Sequence, residues 1–174
     1  MLKYYYTNII NYELLNKFQY KNIKQLPKVK KIVLYFSFKK VDSNLLAAGA
    51  MSLQLLAAKQ SKLLAAKNFN TKLKVRKGHP VGCKVILTGQ LMFMFLQKLL
   101  FTKLPLDYKK IELTHIFQHS LPLSIKNIFV FTELSENYQF FKELPKLNIV
   151  ISTDSTNLAE FLFLLKALKL PIYI

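Results

Sequence analysis

A chain of 174 residues with 52% hydrophobic content has apolar surface enough for one packed core, which excludes disorder as an account of the whole. A formal charge of +17 would repel itself unless an anion neutralised it, so an anionic partner is expected, nucleic acid first. The lone cysteine, Cys83, can form no internal disulfide and cannot frame a metal site, and no apolar run reaches the roughly 18 residues of a membrane span. No membrane insertion, metal or cofactor is therefore expected.

The charge is local. Residues 1–110 hold 21 Lys+Arg and 3 Asp+Glu, a balance of +18, whereas residues 111–174 hold 5 and 6, a balance of −1. We read the two stretches as a basic N-terminal part and a near-neutral C-terminal part of a single domain spanning 1–174. Between Asp42 and Asp107 no carboxylate occurs while ten basic residues do, so internal ion pairing cannot be their purpose. Arg76 is the sole arginine against 25 lysines, and Asn, Ile, Phe and Tyr are plentiful. That usage fits an AT-rich gene such as an organelle genome supplies, and synthesis within an organelle would also explain why Met1 to Tyr6 lacks the character of a presequence.

Along the chain, Ile9, Ile10, Leu14, Leu15 and Phe18 recur at helical spacing and predict a first helix over 4–18. Residues 31–38 alternate, with Ile32, Leu34, Phe36 and Phe38 on one side and Lys31, Val33, Tyr35 and Ser37 on the other, the pattern of a half-buried strand. A second helix is expected over 44–58, capped by Ser43 or Asn44. Leu-Leu-Ala-Ala recurs at 45, 55 and 63 at unequal spacing, which reflects helix-forming composition rather than a repeat architecture. Residues 90–101 predict a third helix, 125–131 and 147–152 two short strands, and 158–168 a last helix with Asn157 and Glu160 spaced as a capping box. The mixed order indicates an α+β domain: one antiparallel sheet with helices on one face and the other face open.

The segment Lys72 to Gly89 reads as strand, loop, strand. Alternation turns Leu73 and Val75 inward and Lys72, Lys74 and Arg76 outward, while Gly78, Pro80 and Gly82 set the loop backbone. Such a basic ribbon suits phosphate neutralisation, and Gly78 and Gly82 would allow close backbone approach to a ribose or phosphate.

With these residues in place, the chain resembles the ribosomal protein L-five family (uL-five) of the large subunit over nearly its whole length. Phe18-Gln19-Tyr20-Lys21-Asn22, Pro27-Lys28 and Lys31-Ile32-Val33-Leu34 are similar to the family's early blocks, and Lys74 to Gly89 matches its signature in order, spacing and glycine placement. Blocks at 125–133, 148–153 and 165–171 also look like family sequence. The resemblance implies an L-five-like fold with the open sheet face toward RNA. It implies a structural, non-catalytic role in translation: binding large-subunit rRNA in the central protuberance, with 5S rRNA or its replacement, and meeting peptidyl-site tRNA through the 76–84 loop. Neighbouring proteins of the central protuberance and a small-subunit bridge protein would be partners, and the mitochondrial matrix the location, with another organelle or a bacterial cytoplasm as the alternative. The RNA- and tRNA-binding residues implied are Lys72, Lys74, Arg76, Lys77, Gly78, His79, Pro80, Gly82 and Lys84, with Gln60, Lys67, Tyr35 and Thr88.

The family usually carries Asn at Tyr35, Phe at Leu73, Thr at Ile86 and Arg at Thr88. Ile86 can neither donate nor accept a hydrogen bond, so the resemblance implies a sheet face with fewer polar contacts to 5S rRNA. The stretch between Pro105 and Ile125 is also shorter than in bacterial relatives. Other classes fit less well. An enzyme using Cys83 with His79 lacks a carboxylate nearby in sequence, His115 and His119 have zinc-pair spacing but no third ligand, and a membrane-surface binder would need one basic amphipathic helix. A basic RNA-binding module outside the ribosome is the remaining alternative.

Overall fold

The structure, a computed structural model, describes residues 2–38, 42–69, 71, 75–102 and 120–170. In chain order its elements are α1 (Leu2–Tyr5), a π-helical stretch (Tyr6–Ile10), α2 (Asn11–Lys17), β1 (Val29–Ser37), α3 (Ser43–Ala57), β2 (Lys62–Ala65), β3 (Pro80–Leu87), α4 (Gly89–Phe101), β4 (Ser120–Ile125), α5 (Thr132–Ser135), α6 (Tyr138–Phe141), β5 (Leu147–Thr153) and α7 (Leu158–Ala167). The fold is α+β, with five strands in one antiparallel sheet of order β2-β3-β1-β5-β4. Period-two burial marks one face of that sheet as core: Ile32, Leu34 and Phe36, then Cys83, Val85 and Leu87, then Ile149 and Ile151 are all buried. The alternate positions Tyr35, Lys84 and Asn148 are half-buried and Ile86 and Ser124 are exposed, so the opposite face stays partly open.

The chain forms two compact units. In the first (Met1–Ile32, Thr88–Pro122 and Val150–Ile174), Tyr6 is the pin of the N-terminal helix. Its buried hydroxyl donates to the Pro27 carbonyl at 3.3 Å and accepts from the Val29 N–H at 3.4 Å, and its ring meets Phe93 of α4 edge-on. At the end of α2, Phe18 packs edge-on against Phe163 of α7, with the Lys17 ammonium 4.4 Å from the Phe163 centroid.

In the second unit (Val33–Leu87 and Leu123–Ile149), α3 lies against β3. The helix contains no charged residue, and Leu46, Leu53, Leu56 and Ala57 supply its buried side. Gly49 lets the backbone close in: a Cβ there would stand 2.6 Å from Phe38 Cζ and 3.1 Å from Cys83 Sγ. Ala58 ends the helix in the left-handed region at φ 48°.

Several expectations need correction. The third Leu-Leu-Ala-Ala, at 63, lies mostly in strand β2, not in helical structure, because the reversal at Ala58 turns the chain back onto β3 and tertiary pairing overrides propensity. The strand expected over 125–131 comes earlier, as β4, and Ile128–Val130 is instead a 3₁₀ turn opened by the Asn127 side chain, which accepts from the Phe129 N–H at 3.1 Å. Asp42, not Ser43 or Asn44, stands at the cap of α3, and its side chain makes no cap hydrogen bond. At α7 the box is not reciprocal: the Asn157 amide donates to Glu160 Oε1 at 3.3 Å, and no side chain caps the backbone there. Residues 72–74, most of the first strand expected in the basic segment, lie outside the described residues.

Candidate nucleic-acid interface

The hairpin of β2 and β3 carries the basic segment. Its register sets Lys62 against Lys84, Leu63 against Cys83, Leu64 against Gly82 and Ala65 against Pro80. The step from Gly82 to Pro80 leaves Val81 as one extra residue on β3, a bulge of the kind that sharpens twist near a strand end. Beyond the strands, Ala66 continues the pairing, donating to the His79 carbonyl at 2.8 Å and accepting from the Gly78 N–H at 3.0 Å. A tight turn from Arg76 to His79 closes the tip, with His79 N–H donating to the Arg76 carbonyl at 3.2 Å. Gly78 takes the third position of that turn at φ +90°, a conformation that excludes most side chains. Its room opens on solvent, with nothing within 4 Å of the missing Cβ.

Burial then sorts the tip. Val75 is buried, while Arg76, Lys77 and His79 are exposed, as is Lys67 on the other arm. Phe69, 63% exposed beside Lys67, adds an aromatic face that sequence reasoning missed because a lone Phe in a loop has no period to mark it. Pro80 opens β3 half-buried. Gly82 behaves differently from its expected role. It is buried, and a Cβ at that position would lie 2.5 Å from the Phe36 carbonyl oxygen, so the room its missing side chain leaves is taken by β1.

At the base of the hairpin, Lys59, Gln60, Lys62, Lys84, Val85 and Ile86 line a cleft of about 230 Å³. Lys62 and Lys84 are directly opposite across the antiparallel pair, which puts two ammonium-bearing side chains on one face. Like charges so placed are destabilising by themselves. Lys59, exposed, anchors by donating from Nζ to the Ile86 carbonyl at 2.8 Å. Among the described residues no carboxylate pairs with any of the three. Lys59 and Lys62 were not expected here; the left-handed turn at Ala58 that delivers them leaves no signal in an Ala-Ala sequence. Of the expected residues, Gln60 and Lys84 meet in this cleft, Lys67, Arg76, Lys77, Gly78 and His79 meet at the tip, and Tyr35 stands half-buried on β1. Thr88 is exposed and does not spend its side chain capping α4. Lys72 and Lys74 fall outside the described residues.

Cys83 is not poised as a nucleophile. Cys83 is fully buried, and that burial pushes its thiol up to about 11, partly opposed by its backbone hydrogen bond with Phe36, so it is protonated at neutral pH. His115 and His119 lie outside the described residues. Among the described residues no group of three or more His, Cys, Asp or Glu gathers as a metal site would need, and no helix is long and apolar enough to cross a membrane.

No family model matches the chain. Individual relatives do. It is 32% identical to the large ribosomal subunit protein uL5m of Reclinomonas americana, covering 98% of this chain and 97% of that protein. The chain belongs to the uL5 family. It is 34% identical to uL5 of Wigglesworthia glossinidia brevipalpis, with 96% of each covered, and 30% identical to uL5c of Rhodomonas salina, covering 98% and 96%. Membership makes the chain a structural protein of the large ribosomal subunit and not an enzyme, and it displaces the module outside the ribosome. Ribosomal RNA and ribosomal proteins are its partners as a class. Relatives of mitochondrial, bacterial and chloroplast naming are similarly close, so the comparison does not choose the compartment.

Proposed function

We propose that this uL5 protein binds rRNA of the central protuberance, 5S rRNA or its replacement, through the lysine cleft and open sheet face of the β2–β3 region, and meets peptidyl-site tRNA through the exposed turn Arg76 to His79 at the tip of the 76–84 segment, whose remainder is strand β3. The observation that carries the reading is the cross-strand pair Lys62–Lys84 with Lys59 beside it. Three cations brought together with no carboxylate partner among the described residues raise the energy of the free protein and lower it when a phosphate arrives. The exposed tip, with Arg76, Lys77, His79 and Phe69, offers charge and an aromatic face to a second RNA. The single arginine and the lysine-rich, AT-biased composition favour a mitochondrial ribosome and an organelle-encoded gene. Bridge and neighbour contacts with other ribosomal proteins complete the proposed set.

Two variants of the full chain separate the roles. K59Q/K62Q is expected to weaken binding of labelled 5S or large-subunit rRNA and to lower the slope of log K against log salt by about 2, at roughly 0.9 per phosphate contact. The relief of the Lys62–Lys84 repulsion offsets the loss of the exposed Lys59–Ile86 hydrogen bond, so the variant's melting temperature in the absence of RNA should stay nearly level. R76Q/K77Q is expected to weaken tRNA binding and leave rRNA binding nearly intact. Unchanged slopes in both variants would overturn the reading.

A further inference from the structure

The first unit carries a basic surface that none of the hairpin residues belongs to. Between Glu13 and Asp42 the sequence has no carboxylate, yet eight lysines fall there, Lys17, Lys21, Lys24, Lys28, Lys30 and Lys31 among them. The structure fixes their environment. After α2 the chain leaves the helix at Phe18 and makes one 3₁₀ turn, Ile23–Gln25, held by Gln25 N–H donating to the Asn22 carbonyl at 3.0 Å. Lys21, Asn22, Ile23, Lys24 and Gln25 are all exposed and line a shallow cleft of about 580 Å³. Lys28 follows, exposed, its own carbonyl fixed by the Asp154 N–H at 2.8 Å.

Two lysines of the stretch have partners already. Lys17 sits over the Phe163 ring, and Lys30 stands 3.7 Å from the Asp154 carboxylate in an exposed pair. Lys21, Lys24 and Lys28 have no carboxylate partner among the described residues. Lys21 and Lys24 thus line the cleft at the turn and Lys28 follows it, exposed, between Pro27 and Val29, in a segment pinned by Phe18 against Phe163 at its start and by Tyr6 on Pro27 and Val29 at its end. Side-chain amides of Asn22 and Gln25 stand between them.

We propose that Lys21, Lys24 and Lys28 form a second RNA-contacting surface of the protein, one that grips the sugar-phosphate backbone of an rRNA segment other than the one in the lysine cleft. Lysines grip phosphates as point charges without fork geometry, so the surface positions the RNA and does not read its sequence. Asn22 and Gln25 can donate to phosphate oxygens or pair with ribose hydroxyls. The inference rests on the RNA-binding reading above, and the two can fail separately.

The test measures binding of the full chain to protein-free large-subunit rRNA with 5S rRNA, across a range of salt, for the native chain, K21Q/K24Q/K28Q, K59Q/K62Q and the combined variant. With three phosphate contacts at about 0.9 each, K21Q/K24Q/K28Q should lose about 40-fold less affinity than the native chain between about 50 and 200 mM salt, and the combined variant should lose less still. Circular dichroism should show all four equally folded, since every substituted side chain is exposed. If K21Q/K24Q/K28Q keeps the native slope while K59Q/K62Q does not, the surface is merely solvated and the inference fails alone. If neither changes, the RNA-binding reading fails with it. Loss of binding only to anionic phospholipid vesicles, with rRNA binding intact, would assign the lysines to a membrane and also overturn the proposal.

Discussion

Replacing Gly82 by alanine separates what the hairpin owes to its scaffold from what it owes to RNA. The new Cβ would meet the Phe36 carbonyl oxygen at 2.5 Å, about 0.9 Å short of ordinary contact near 3.4 Å. The obstacle is backbone of β1, which cannot swing aside as a side chain can, and the same stretch holds the Phe38 N–H donating to the Val81 carbonyl at 2.9 Å. Overpacking of this kind costs roughly 1–3 kcal/mol, offset by roughly 0.5–1 kcal/mol from the lower unfolded-state entropy of alanine. Because the obstacle is backbone the cost falls in the upper half of that range, about 2–3 kcal/mol, and the net loss of about 1–2.5 kcal/mol should lower the melting temperature of a chain this size by about 2–10 °C. Thermal unfolding followed by circular dichroism of G82A and the native chain supplies the readout. G49A is the control: its closest obstacle is the tip of the Phe38 ring, which can move, so it should cost less. A G82A melting temperature equal to or above the native one would refute the packing account. So would a folded G82A with a flattened salt slope for RNA, because Gly82 would then be a contact after all.

Three further outcomes follow from the same geometry. Y6F removes the buried hydroxyl that serves Pro27 and Val29 and should cost about 1–2 kcal/mol in urea unfolding; an unchanged midpoint would show that hydroxyl to be idle. Cys83, with its thiol pushed up to about 11 in the fold from an ordinary value of 9.0, contributes stability that is complete below pH about 9 and lost as pH rises through about 11. Native protein at pH 8 should therefore resist iodoacetamide while guanidinium-unfolded protein reacts, and equal rates would contradict its burial. I86T puts a hydroxyl on the open sheet face at a position 37% exposed. If RNA lies there, affinity for 5S rRNA should rise about 2- to 10-fold, the worth of one hydrogen bond, and no change would mean that RNA does not reach Ile86.

Much of this architecture was legible in the sequence wherever a period was long. Alternation from Ile32 to Phe36 marked the core face of β1, and α3 and α4 emerged within a residue or two of their observed bounds. Legibility failed where tertiary contact decides. Leu-Leu-Ala-Ala lies within a helix at 45 and runs mostly as strand from 63, since β3 offers the third copy a partner. Glycines were ambiguous too: Gly78 has the open, positive-φ turn its sequence neighbours suggest, whereas Gly82 is glycine because of Phe36, forty-six residues earlier in the chain. Exposed Arg76 and Lys77, and half-buried Lys84, could be read from charge and spacing. Lys59 and Lys62 could not, because only the register of β2 against β3 brings them to Lys84.

Crosslinking within intact large ribosomal subunits tests the central claim most directly. Ultraviolet crosslinking of purified particles, followed by identification of the RNA-bound peptides of this chain, should place ribosomal RNA on Lys59 to Lys62 and Lys84 and tRNA on Arg76 to His79 when the peptidyl site is filled. Crosslinks that spare both, in particles that contain the chain, would contradict the assignment of the β2–β3 hairpin as its RNA interface.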